Sequence, residues 1–242
     1  MFNFKYLLNK FKTVLIIGIL MAQTLSAQNL VDETKFKRDF FNQVEPITLV
    51  DPLGFALGAS DAGEPYVYHY TDIIKYSGHS CPAVSGGYMM AQLALKELYG
   101  NDTPVRGEIK VTMRGAPDDK VNGPISQVIS FITGAAGDTG FKGMKGKFSR
   151  YNLLVFENDN PSEDGILAEA IFERMDSGEK VSVAYNASAI PSNPEMGKIM
   201  PLLISGKASK EEIIKFGDLW QERVRIVLLE TPDEAFNIKV IK

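Results

Sequence analysis

The sequence predicts an α+β protein. Residues 82–98 place Val84, Tyr88, Ala91, Leu95 and Leu98 at helical spacing, which marks a buried helical stripe. Residues 108–114 alternate Ile109, Val111 and Met113 with Lys110, Thr112 and Arg114, which marks a half-buried strand. Further helices and a hairpin follow without steady strand–helix alternation, and that mixture is characteristic of α+β folds.

The chain opens on a segment outside that fold. Lys5, Lys10 and Lys12 precede the apolar run Val14–Ala22, and small residues lead to Ala27. These are the basic region, apolar region and cleavage site of a secretory signal peptide, residues 1–27. The apolar run is too short to span a bilayer, so no stable membrane insertion is expected after cleavage. No cysteine lies near the cleavage site, which argues against a lipoprotein. The chain has 26 basic and 30 acidic residues, and without the three leader lysines the balance is 23 against 30, a net charge of −7. Such a balance offers nucleic acid no basic face. Composition is that of a soluble globular protein, with 45% hydrophobic and 23% charged residues, and residues 28–242 are expected to form a single domain.

Residues 28–45, polar with Phe36, Phe40 and Phe41, read as a leading helix or arm. Residues 47–50 start a strand, and Asp51-Pro52 opens a helix with Asp51 as N-cap and Leu53, Phe55 and Leu57 over the core. After the Ser60–Pro65 turn, Tyr66–Tyr70 reads as a strand, and Thr71 or Asp72 caps a short helix, Ile73–Tyr76. Pro82 suits the first position of the long helix, where its missing N–H leaves nothing unpaired, and Gly100 closes it. A second helix, Pro124–Thr133, stops at Gly134, ahead of a loop with Gly137, Gly140, Gly143 and Gly146. Asn152–Glu157 is a strand, and Asn158–Asp164 is the candidate break between blocks. Ala168–Met175 and Lys180–Tyr185 flank Asp-Ser-Gly as a β-hairpin. Pro194–Ile204 is a short helix ended by Gly206. Ser209 and Glu212 form a capping box that opens the helix Lys210–Glu230. Its apolar stripe is Ile213, Phe216, Trp220, Val224 and Val227, with Trp220 in the core, and Phe236–Ile241 is the last strand.

His79, one of two histidines, and Cys81, the only cysteine, stand just before the long helix. Backbone N–H groups and the helix dipole favour an anion there, such as a thiolate. A lone cysteine is most often a small buried hydrophobe. An odd cysteine in an exported chain, however, points to intermolecular pairing or a functional thiol. An imidazole and a thiolate suit a divalent transition metal, zinc by default. Further ligands must then come from elsewhere, and His69 and Asp138 are the weaker candidates. In a second chemistry Cys81 is a nucleophile with His79 as its base, although residues two apart in extended chain point in different directions. Gly86-Gly87 gives up about 1–2 kcal/mol of helix propensity, which suggests another backbone or a ligand close against that face. The glycine-rich loop with Gly140 and Lys142 could cradle an anion, although it lacks phosphate-loop spacing. Together these residues suggest a cleft lined by Tyr76, His79, Cys81, Asp138 and Lys142.

GHSCPAVSGGYMMAQLAL, residues 78–95, resembles the GHxCPG signature and following helix of the FmdE family, named for an accessory component of formylmethanofuran dehydrogenase. GPISQVISFITGAAGDTGFKG, residues 123–143, resembles that family's second block. The likeness covers residues 70–157, and DPLGFALGA and FGDLWQERV are similar to blocks of a stand-alone, exported branch. It implies a two-layer domain, helices packed on a mixed or antiparallel sheet, with a C-terminal hairpin and helical extension over about residues 165–242. The chain departs from the family at Ala135-Ala136, where a Cys is often found, at Gly123-Pro124, where an Asp is, and in lacking a C-terminal zinc ribbon. Only His79 and Cys81 therefore carry over as ligands. The resemblance does not imply formylmethanofuran dehydrogenase activity, because that chemistry belongs to other components of the namesake complex.

The expectation is an exported protein, periplasmic or secreted, that binds a divalent transition metal and a small ligand at the GHSCP helix start. One alternative is a metal- or thiol-dependent enzyme using Cys81 and His79 on a small molecule. Another is a non-catalytic metal or cofactor carrier. A homodimer through the C-terminal helices is left open.

Overall fold

The computed structural model describes residues 34–241. The expected signal peptide and the start of the leading arm lie outside them. The chain divides into two units, Met1–Asp39 and Phe40–Lys242, and the fold below is that of the second.

In chain order its elements are β1 (Ile47–Val50), α1 (Pro52–Ala56), β2 (Pro65–Tyr68), α2 (Tyr70–Ser77), α3 (Pro82–Tyr99), β3 (Ile109–Arg114), α4 (Asn122–Thr133), β4 (Leu154–Glu157), β5 (Ala168–Arg174), β6 (Lys180–Tyr185), α5 (Pro194–Ile204), α6 (Lys210–Arg225) and β7 (Phe236–Ile241). The fold is α+β. A mixed sheet runs in the order β4-β3-β5-β6-β7, with β4 parallel to β3 and every other pair antiparallel. β1 and β2 form a separate antiparallel hairpin.

Alternation sets the two faces of the sheet. Ile109, Val111 and Met113 are buried, as are Ala168, Ala170 and Phe172 on β5 and Val181, Val183 and Tyr185 on β6. The opposite face is charged, with Arg114 3.1 Å from Glu157 and Lys180 3.4 Å from Glu173. α3 touches β5, β6 and β7, and also α2, α4 and α6. With neighbours on so many sides it is buried beyond a single stripe, at Met89, Met90 and Ala94 too. Among the described residues no helix is long and apolar enough to cross a membrane.

Several expectations are corrected. Residues 39–43 form only a 3-10 turn, with Phe41 buried against the Tyr70 ring, 5.6 Å between centroids. Phe55 and Leu57 are 54% and 63% exposed, because α1 is a five-residue turn held by its cap and covers no core. β2 stops at Tyr68, and His69 is the N-cap of α2, with its N–H donating to Asp72 Oδ2 at 2.9 Å. That early start turns Tyr70 inward to complete burial. Residues 158–164 do not divide the sheet, since β4 before them and β5 after them both pair with β3. Trp220 is half-buried and stacks on Phe216 at 5.5 Å, because α5 and α6 pack mainly as a helical hairpin. The last helix ends as α-helix at Arg225 and continues as a π turn, Ile226–Glu230, that buries Val227 and Leu228.

One buried ionic cluster joins three distant segments. Asp51 caps α1, its Oδ1 accepting from the N–H groups of Leu53 and Gly54 at 3.0 and 3.3 Å. The same carboxylate accepts from Arg150 at 2.6 Å and from Arg106 at 3.1 Å. Arg106 also donates to the carbonyls of Phe131 and Ile132, at 3.0 and 3.1 Å, and so satisfies the C-terminal end of α4. Gly107 and Gly134 both have positive φ and both lie against the Arg150 guanidinium, where a Cβ would collide with it. Burial works to raise the Asp51 pKa, but the charge of Arg150 and the hydrogen bonds from Arg106 and Gly54 outweigh it and hold it below the ordinary value.

Asp51→Asn should therefore leave Arg150 buried without its counter-charge and lower unfolding free energy by about 3–5 kcal/mol. In urea titrations the exposed Asp102→Asn should stay within about 0.5 kcal/mol of the parent. A lowered folded pKa means that the Asp51 contribution is complete above its ordinary pKa and is lost as pH falls through the folded value. The parent protein should lose stability below about pH 4, and Asp51→Asn should lack that part of the slope.

Candidate functional site

The start of α3 is built by residues with few conformational choices. Gly78 closes α2 in the left-handed region, φ 73°, and turns the chain sharply toward Pro82. Ser77 Oγ donates to the carbonyls of Ile73 and His79, each at 2.8 Å, which ties the turn down. His79 is exposed, and its Nδ1 lies 2.9 Å from the Ser77 carbonyl. A carbonyl only accepts, so Nδ1 is the donor in this contact and Nε2 is the ring nitrogen left without a protein partner in it. Cys81 is the N-cap of α3, half-buried, with Sγ accepting the Val84 N–H at 3.4 Å.

Behind this turn stands a polar cluster from other elements. Tyr70 OH and Ser80 Oγ are 2.8 Å apart, and Gln221 Nε2 of α6 donates to the Ser80 carbonyl at 2.9 Å. Tyr185, at the end of β6, is completely buried, stacks on Phe236 at 4.9 Å and lays its ring over Gly86. The charge of Arg223 lowers the pKa of its hydroxyl and Cys81 raises it, both less than burial does. Burial pushes the hydroxyls of Tyr70 and Tyr185 far up, so both remain protonated donors.

The residues singled out from sequence fall in different places. His79 and Cys81 adjoin, separated by Ser80 alone. Among the described residues no three His, Cys, Asp or Glu side chains converge as a metal set, so neither His69 nor Asp138 completes one with them. His69 is exposed at the head of α2, and Asp138 is exposed in the glycine-rich loop. Tyr76 stacks on Phe131 at 4.9 Å and lines an aromatic groove of about 410 Å³ with Tyr66 and Tyr68, a groove that His79, Cys81, Asp138 and Lys142 do not line. Lys142 is exposed over the Tyr151 ring. Gly140 packs on Ala136 and on the Arg150 and Gly137 carbonyls, and its N–H bonds Gly137 O at 3.1 Å. The Met144 N–H likewise bonds Lys147 O, at 2.8 Å.

The crowding signalled by Gly86-Gly87 comes from protein. A Cβ at Gly86 would overlap the Tyr185 ring, and one at Gly87 would press on Ile125 O and Val128 Cβ of α4, both at 3.2 Å. Sequence reasoning does not reach Tyr185, Gln221 or Arg223. The one sign of Tyr185 in the sequence is the missing side chain at Gly86, which announces a close neighbour without naming it. No protein-family model matches this chain, and no curated protein matches it.

Gly86→Ala should lower stability by about 1–3 kcal/mol through overpacking against Tyr185. Gly197→Ala, at an exposed position inside α5 with open space at its Cβ, should raise stability by about 0.5–1 kcal/mol. Urea midpoints of the two variants check both signs.

Proposed function

We propose that this chain is an exported, FmdE-like metal-binding protein that holds a divalent transition metal, zinc by default, through His79 and Cys81. The observation that carries this reading is the orientation of the His79 ring. Its Nδ1–H is committed to the Ser77 carbonyl at 2.9 Å, and this is how metal-binding imidazoles are oriented, with the second nitrogen free to ligate. Two residues further on, the only thiol of the chain sits half-buried at a helix start. The two side chains belong to backbone positions no more than about 7 Å apart. Imidazole nitrogen and thiolate sulfur are a donor pair that suits zinc. With two protein ligands the remaining positions are open to water or to a small ligand, and a bound metal would supply Lewis acidity to that ligand. The leader at residues 1–27 directs the protein to the periplasm or outside the cell.

A second reading, a thiol-dependent enzyme, draws on the Val84 N–H that faces Cys81 Sγ at 3.4 Å. Metal analysis separates the two. Residues 28–242, dialysed against zinc and assayed by inductively coupled plasma mass spectrometry, should retain close to one metal per chain. His79→Ala and Cys81→Ser should each weaken zinc binding by at least about tenfold, since loss of an outer-sphere partner alone has that effect. His69→Ala and Asp138→Asn should leave it unchanged. No zinc retained by the parent protein sinks the metal reading, and the labelling rate of Cys81 against pH then tests the thiol one.

A further inference from the structure

Three buried polar atoms around the start of α3 lack partners among the described residues. Tyr185 OH has none, although the residue is 0% exposed. Arg223 donates from Nη2 to the Ala187 carbonyl at 3.2 Å, while its Nε–H has no partner. Gln221 commits Nε2 to the Ser80 carbonyl at 2.9 Å, which fixes the amide orientation and leaves Oε1 unpaired. Leaving such groups unpaired is unfavourable by about 1–3 kcal/mol each. Arg223 adds a second imbalance, because no carboxylate of the described residues pairs with its guanidinium. Guanidinium stays charged at any ordinary pH, so its neighbourhood is electropositive. The unpaired atoms are two donors, one of them charged, and one acceptor; Tyr185 lies on Gly86 and Gln221 on Ser80, at the N-terminus of the 18-residue helix that Cys81 caps, and Arg223 bonds Ala187, two residues beyond Tyr185.

We propose that Tyr185, Arg223 and Gln221 bind the oxyanion of a small molecule, a carboxylate or a phosphate, next to Cys81. The Tyr185 hydroxyl and the Arg223 Nε–H donate to the anionic oxygens. Gln221 Oε1 accepts from a hydroxyl or amine of the same molecule, or from the acid proton of a monohydrogen phosphate. The site names the ligand class of the small molecule in the proposed function and rests on that reading only for the metal as its neighbour. The rigid ring stack of Tyr185 on Phe236, and its bed on Gly86, hold the hydroxyl in place before any ligand arrives.

The test uses metal-free protein, residues 28–242, titrated with sodium phosphate and separately with sodium acetate, with sodium chloride at matched ionic strength as the reference. Trp220, the only tryptophan, adjoins Gln221 and reports binding by fluorescence, and the urea midpoint reports it independently by mass action. Saturable binding of one of the two probes is expected, and the stronger one identifies the source of the oxyanion. Arg223→Gln and Tyr185→Phe should each weaken it at least tenfold. Tyr185→Phe keeps the ring and removes only an unpaired hydroxyl, so the free protein should unfold at the same urea concentration or higher. His79→Ala should lose zinc yet keep the oxyanion, which separates failure of the metal reading from failure of this one. Absence of saturable binding of both probes, or binding unchanged in Arg223→Gln and Tyr185→Phe, overturns the proposal and leaves an ordered water as the partner of these atoms.

Discussion

The carboxylate of Asp51 is the point on which the architecture depends. It caps α1, and it accepts from Arg106 and Arg150, which belong to segments 55 and 99 residues away. Arg106 in turn satisfies carbonyls at the end of α4, and Arg150 anchors the glycine-rich loop that leads into β4. Such a cluster is conditional. Two cations share one anion in a largely dry place, so removing the anion leaves uncompensated charge rather than a vacant contact. The glycines at 107 and 134 exist for the same reason, since the guanidinium occupies the space a side chain would need.

The second constraint is the central helix. α3 touches three helices and three strands, and close approach at its start depends on Gly86 and Gly87. The ring of Tyr185 fills the place of the first missing side chain and the backbone of α4 approaches the second. This packing brings the end of β6 and the polar face of α6 to the turn that carries His79 and Cys81. The proposed chemistry is therefore assembled by packing from the first third and the last quarter of the chain, where no local motif joins them.

How much of this is legible in the sequence depends on the range of the forces involved. The Asp51 cap, the Ser209–Glu212 capping box, Pro82 at the head of α3 and the hairpin around Asp176–Gly178 are local hydrogen-bond or backbone preferences, and the structure has each of them. The Tyr66–Tyr70 stretch misleads, because its aromatic alternation hides the effect of the Asp72 carboxylate, which captures the His69 N–H and starts a helix early. Phe55, Leu57 and Trp220 look like core residues from their apolar character alone, but burial depends on what neighbouring elements cover. The glycine-rich loop suggests an anion cradle; in the structure the Gly140 N–H bonds Gly137 O, and the loop's exit is pinned by Arg150.

By itself the sequence determined the α+β class, the strand parity that divides the sheet into an apolar and a charged face, the caps that open α1, α3 and α6, and the placement of one imidazole and one thiol at a helix start. These follow from side-chain period and local capping, which act over a few residues. Only the tertiary structure decided the strand order β4-β3-β5-β6-β7, the partners of Asp51, the exposed positions of His69 and Asp138, and the packing of Tyr185 on Gly86 and of Gln221 on Ser80. Those outcomes join residues up to 141 positions apart. Long-range pairing of this kind is selected by burial and charge compensation in the folded whole, and short-range sequence patterns do not record it.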